Sequence, residues 1–159
     1  MEQYKDNINS FLVDAFHDLL RLEEAALAKD EFQNLSVHEM HVIEAVYDGN
    51  SAGLYAMNEI AAKLSVTAST LTTSVKTLER KGYLIRQKLP EDKRYVKVCL
   101  TPLGEKAYDS HHTFHKELVE EISLKLNEEE LKSLSTALST LHIFFNNFFH
   151  KIISPKEDK

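Results

Sequence analysis

The sequence predicts a mainly α-helical protein carrying one small β-hairpin, and three observations predict it. Glycine and proline number only 4 and 3 in 159 residues, too few for a loop-rich or all-β chain. Apolar residues recur at steps of three and four along long segments at both ends and shorter ones between, the period of amphipathic helices. Between Tyr83 and Leu100 that period changes to two, the alternation of paired strands.

The first helix is carried by Ile8, Phe11, Leu12, Ala15, Phe16, Leu19, Leu22 and Ala26, with no glycine or proline before about Lys29. Ser36 followed three residues later by Glu39 is a capping box, and it opens a helix with Met40, Ile43, Val46 and Tyr47 that stops at "DGNSAG". A short helix is expected from about Met57 to Leu64. The next runs from Thr67 or Ala68 to Lys81, where Gly82 is a natural stop. Tyr83 to Lys88 and Tyr95 to Leu100 form the hairpin around a charged, proline-containing turn. Thr101 and Pro102 begin another helix, marked by Leu103, Ala107, Phe114, Leu118, Ile122 and Leu126. Asn127, followed by Glu128, Glu129 and Glu130, begins the last helix, suiting the positive end of its dipole. Four phenylalanines at 144, 145, 148 and 149 exceed what one helix on a small domain needs. Both terminal helices therefore read as surfaces for a second copy of the chain.

The charge balance narrows function. The formal net charge is -6, yet residues 67 to 106 hold nine bases and four acids, a net of +5, which leaves -11 for the remainder. A basic middle between acidic ends fits a module that approaches a polyanion with one face. Cys99 is the one cysteine and has no partner for an internal disulfide. An N-terminus with Glu2, Lys5 and Asp6 does not read as a signal peptide, and no apolar run approaches membrane-spanning length. A cytoplasmic protein without membrane contact is the expectation.

The second and third central helices are separated only by "SVT". Two helices joined by so short a turn, the second rich in small hydroxylated residues, follow the helix-turn-helix plan. On that second helix Leu71, Val75 and Leu78 form the stripe that would hold it to the domain. Thr67, Ser69, Thr70, Thr72, Thr73, Ser74, Thr77, Lys76 and Arg80 would remain outside, a surface suited to base edges and phosphates in the major groove. Threonine is a poor helix former, so five threonines between 67 and 77 are not there for helix stability. In the hairpin tip "PEDKRYV", Lys93 and Arg94 could reach a phosphate or the minor groove, with Asp92 orienting Arg94. Lys88, on the strand before it, would contact phosphate.

The stretch "LTTSVKTLERKGYLIRQKLPEDKRYVKVCLTPLGEK" resembles the MarR family of bacterial winged-helix transcriptional regulators. Three features carry the resemblance: the Leu-x-x-Lys-Gly-Tyr join, the Asp-x-Arg tip at Asp92 and Arg94, and the Leu-Thr-x-x-Gly return at Leu100, Thr101 and Gly104. It extends over essentially the whole chain, because the long terminal helices fit the family's dimerisation arms. The resemblance implies a winged helix-turn-helix and a homodimer binding double-stranded DNA at a pseudo-palindromic operator. The threonine-rich helix would lie in the major groove and Arg94 in the minor groove, with a ligand altering the spacing of the two heads. It divides the chain into an N-terminal dimerisation helix (1–34), a winged DNA-binding segment (35–104) and C-terminal dimerisation helices (105–159), one compact domain overall.

Within the family, "RLEEAAL", "LSVHEMHVIEAV", "TLTTSVKTLERKGY" and "FHKELVEEI" look most like repressors of bacterial fatty-acid synthesis genes. Those are helped to bind DNA by long acyl chains on acyl carrier protein, and no cofactor is required. A rival rests on histidines. Glu24, His41, His111 and His115 resemble the metal ligands of the family's zinc-responsive repressors, and would give the three nitrogens and one oxygen that tetrahedral zinc accepts. That branch's second-site cysteine has no counterpart near Asp30. An enzyme is not expected: "HEMH" has the wrong spacing for a zinc protease, and no catalytic triad or phosphate-binding glycine loop is present. Cys99, in mid-strand, reads as an inert strand residue.

Overall fold

The computed structural model describes residues 2–64, 66–88 and 96–153, with side chains through residue 148. Its elements follow the expected order: α1 (Glu2–Lys29), α2 (Val37–Ser51), α3 (Met57–Lys63), α4 (Ala68–Arg80), β1 (Leu84–Lys88), β2 (Val96–Leu100), α5 (Pro102–Ser123) and α6 (Glu128–Ile153). The chain divides into two compact units, Met1–Phe114 and His115–Lys159.

In the first unit, local chemistry sets the element ends. The Ser36 hydroxyl accepts from the Glu39 amide at 3.2 Å, and the Glu39 carboxylate accepts from the Ser36 amide at 2.8 Å, completing the capping box. α2 ends inside the "DGNSAG" stretch, at Ser51, and Gly53 turns the chain away at φ 79°. The Asn50 amide donates to the Leu54 and Val98 carbonyls at 3.2 and 3.0 Å, and the Val98 amide donates to the Tyr55 carbonyl at 3.0 Å. Those bonds fasten β2 to the connection between α2 and α3.

Gly82 ends α4 in the left-handed region at φ 85°. Its amide donates to Glu79 at 3.0 Å and the Tyr83 amide donates to Leu78 at 2.9 Å, the paired bonds of a Schellman motif, with buried Leu78 and Tyr83 as its apolar contact. β1 and β2 pair antiparallel from Leu84↔Leu100 to Lys88↔Val96. The chain then closes on the join. The Thr101 hydroxyl donates toward the Gly82 and Tyr83 carbonyls at 2.6 and 3.2 Å and accepts from the Gly104 amide at 3.1 Å. A Cβ at residue 104 would stand 2.2 Å from the Tyr83 carbonyl oxygen, so only glycine allows this approach. That explains the Leu-Thr-x-x-Gly return.

The core of this unit is built by Phe32, Met40, Ile43, Val46, Ile60, Leu71, Val75, Leu78 and Val98, all essentially without solvent contact. Across it the Lys81 ammonium lies 2.8 and 2.7 Å from the two Glu39 oxygens and 2.5 Å from the Asn34 carbonyl. One lysine thus joins the end of α4 to the start of α2. In the second unit Asn127 caps α6: its side-chain oxygen accepts from the Glu129 and Glu130 amides at 3.0 Å. Among the described residues, no helix is long and apolar enough to cross a membrane.

Burial alone would raise the Glu39 carboxyl, but the Lys81 bond and charge and the Ser36 bonds outweigh it and lower its pKa below the ordinary 4.5. A lowered folded pKa gives stability that is fully present above the unfolded value and lost as pH falls through the folded one. Chemical denaturation of the wild type and Glu39→Gln should therefore differ by about 1–3 kcal/mol at neutral pH, with the gap narrowing below pH 4.5. A gap that stays constant down to pH 3 contradicts the ion pair.

Candidate nucleic-acid interface

α4 is seated by Leu71, Val75 and Leu78, each at most 1% exposed. The helical period then turns Ser69, Thr70, Thr73, Lys76 and Arg80 outward, while Thr72, Ser74 and Thr77 are half-buried. Thr67 is the N-cap, its hydroxyl accepting from the Thr70 amide at 3.1 Å. It therefore has a local task apart from any contact with DNA.

The hydroxyls on this helix are partly committed. Thr72 donates to the Ala68 carbonyl at 2.7 Å, Thr73 to Ser69 at 3.4 Å, Ser74 to Thr70 at 3.4 Å and Thr77 to Thr73 at 3.3 Å. A hydroxyl whose proton points at its own backbone offers only lone pairs outward. Such groups suit the amino donors of adenine and cytosine, and they do not donate to a phosphate oxygen while the backbone bond is kept. Lysine and arginine supply the donors for phosphate.

The structure sorts the basic run into two groups. Lys81 is engaged by Glu39, and Arg86 is held by Glu79 through Nε at 2.9 Å and a terminal nitrogen at 2.5 Å. Lys97 lies 4.6 Å from the centroid of the Tyr55 ring. These cations build the head. Lys76 and Lys88 are exposed and make no ion pair among the described residues, and exposed Arg80 touches only the Thr77 hydroxyl, at 3.3 Å, among the contacts described. Thr73, Lys76, Thr77 and Arg80, together with the Glu79 and Arg86 pair, line one groove between α4 and the base of the hairpin. Asp92, Lys93 and Arg94 lie outside the described residues.

The histidine set needs one correction. Glu24 is exposed on α1; the carboxylate turned inward is Glu23, 3% exposed. Its oxygens lie 3.3 and 3.4 Å from His41 Nε2, and the ring of His41 is 5.8 Å from that of buried His111. His115 follows four residues on along α5. At 100° per residue, Glu23 shares a face with Leu27, the other inward residue of α1. The stripe Ile8, Phe11, Leu12, Phe16, Leu19 and Leu22 is exposed in the single chain, and Glu23 lies one turn after Leu19 along it, whereas Glu24 points away.

Comparison with known proteins agrees with this geometry. The MarR family model matches residues 35–96. The structure of Streptococcus pneumoniae FabT in complex with DNA superposes with a TM-score of 0.81 at 33% identity, covering 91% of this chain and 99% of that one. The chain belongs to the MarR family. The HTH-type transcriptional regulator BilQ of Clostridium symbiosum is 28% identical over 123 residues, 77% of this chain and 85% of that protein. The Staphylococcus aureus MepR complex with DNA shares the MarR fold at a TM-score of 0.66 and 23% identity, covering 86% of this chain and 95% of that one. The protein is thus a DNA-binding transcriptional regulator with a winged helix-turn-helix head, and its relatives are regulators, not enzymes. Burial raises the Cys99 thiol against the opposing effect of Lys97, which disfavours the reactive thiolate.

The division of the cations has a measurable consequence. Lys76→Ala and Lys88→Ala should each lower the slope of log affinity against log salt by about 1 while leaving base preference unchanged. Fluorescence anisotropy over a salt series reads this directly. An unchanged slope in both variants would remove these lysines from the interface.

Proposed function

We propose that the protein is a homodimeric repressor of fatty-acid synthesis genes, binding a pseudo-palindromic operator with help from a long-chain acyl group on acyl carrier protein. The observation that carries this reading is the likeness to FabT, which spans nearly all of both chains at an identity above that of MepR. The sequence resemblance to the fatty-acid branch points the same way. α4 would occupy the major groove, and Arg94, oriented by Asp92 and flanked by Lys93, would enter the minor groove. The apolar residues exposed on α1 (Ile8, Phe11, Phe16) and on α6 (Phe144, Phe145, Phe148) give a second copy of the chain the surface it needs.

A second reading, a zinc-responsive repressor, is favoured by Glu23, His41 and His111 in the first unit. One buried carboxylate beside two imidazoles is a donor set that suits zinc. Zinc there would act as the signal, drawing α1, α2 and α5 to one ion.

A DNA-shift titration separates the two. Long-chain acyl carrier protein should tighten operator binding, while zinc and unacylated carrier protein should not. Tightening by zinc alone would replace the first reading with the second, and no response to either would reject both effectors.

A further inference from the structure

His38 stands at the second position of α2, exposed to solvent, with Nε2 3.2 Å from the Ser74 hydroxyl oxygen on α4. The contact bridges 36 residues of sequence. An exposed bond of this kind adds little to folding, and the buried stripe already fixes α4. Its effect falls on Ser74, a half-buried hydroxyl flanked by exposed Thr73 and Lys76.

Ser74 has one proton, and two groups of the protein compete for it. If His38 carries a proton on Nε2, the imidazole donates to Ser74, whose own proton points to the Thr70 carbonyl 3.4 Å away. With the other tautomer, Ser74 donates to Nε2. In the second arrangement the proton is committed to His38 and the lone pairs of the hydroxyl remain for an outside donor; in the first, His38 occupies one lone pair and the Thr70 carbonyl alone holds the proton. Without His38, the long bond to Thr70 is the remaining restraint, and the hydroxyl can rotate to donate to a phosphate or to the major-groove acceptors of guanine, adenine or thymine.

We propose that His38 is a positioning residue for sequence reading: its imidazole holds Ser74 as a hydrogen-bond acceptor, so that Ser74 selects the amino group of adenine or cytosine. This rests on α4 being the helix that enters the major groove. The resulting selectivity is a property of the pair, with one member on each helix of the helix-turn-helix.

The test uses full-length protein and a duplex enriched from a random pool by the wild type, together with every single-base variant of it. His38→Ala should flatten the preference at one base pair per half-site by about fivefold or more, while affinity for an unselected duplex stays within about twofold. His38→Gln, whose amide can donate or accept, should restore most of the preference. The double variant with Ser74→Ala should lose no more than Ser74→Ala alone. Full preference in His38→Ala, equal loss on selected and unselected duplexes, or additive losses in the double variant would each overturn the proposal. If the wild type itself enriches no sequence, the placement of α4 fails first and the role of His38 falls with it.

Discussion

Three side chains one helical turn apart, Leu71, Val75 and Leu78, are the constraint on which the rest of the head depends. Removing them from water contributes about 1.5–3 kcal/mol each. Their position on the helix also leaves no freedom in which residues face outward. With the stripe buried, Ser69, Thr73, Lys76 and Arg80 must lie on the opposite side. Gly82 then ends the helix at a fixed residue, and Thr101 and Gly104 bring the chain back against that end. The base of the hairpin is thereby placed relative to the helix without using any outward-facing residue.

The cations follow from the same geometry. Lys81 and Arg86 meet the carboxylates of Glu39 and Glu79, which ties α4 to α2 and to β1. A run that looks uniformly basic in sequence is therefore partly internal structure. Among the described residues of α4 and β1, Lys76, Arg80 and Lys88 are exposed and outside any ion pair. Their donors complement hydroxyls whose protons are turned to the backbone. In the proposed DNA complex, phosphate binding and base reading would fall to different residue types, so that a head of modest charge is both attracted and selective.

Elements whose ends are chemically marked were legible in the sequence. Ser36 with Glu39, Asn127 with the acids behind it, and Gly82 each carry a local signal, and each element begins or ends where the signal falls. Interactions between distant segments were not legible. Nothing near Lys81 names Glu39, 42 residues away, and nothing near His38 names Ser74. Glu24 enters the metal set by resemblance to the family's zinc ligands, and only the fold shows that its neighbour Glu23 is the buried carboxylate. The apolar stripe of α1 is exposed in the single chain, as a surface for a second copy would be, while Glu23 and Leu27 are the buried residues of the helix. In a helix with two apolar duties, period alone does not say which face meets its own domain.

The central claim is that a buried stripe presents α4 to DNA as a reader of sequence, in two symmetry-related copies. The most direct measurement is selection by the wild-type protein from a random duplex pool, followed by sequencing of the bound fraction. The account predicts an inverted repeat whose half-sites are centred about one helical turn apart, enriched at moderate salt. A pool that remains random, or a single asymmetric motif with no repeat, would contradict it.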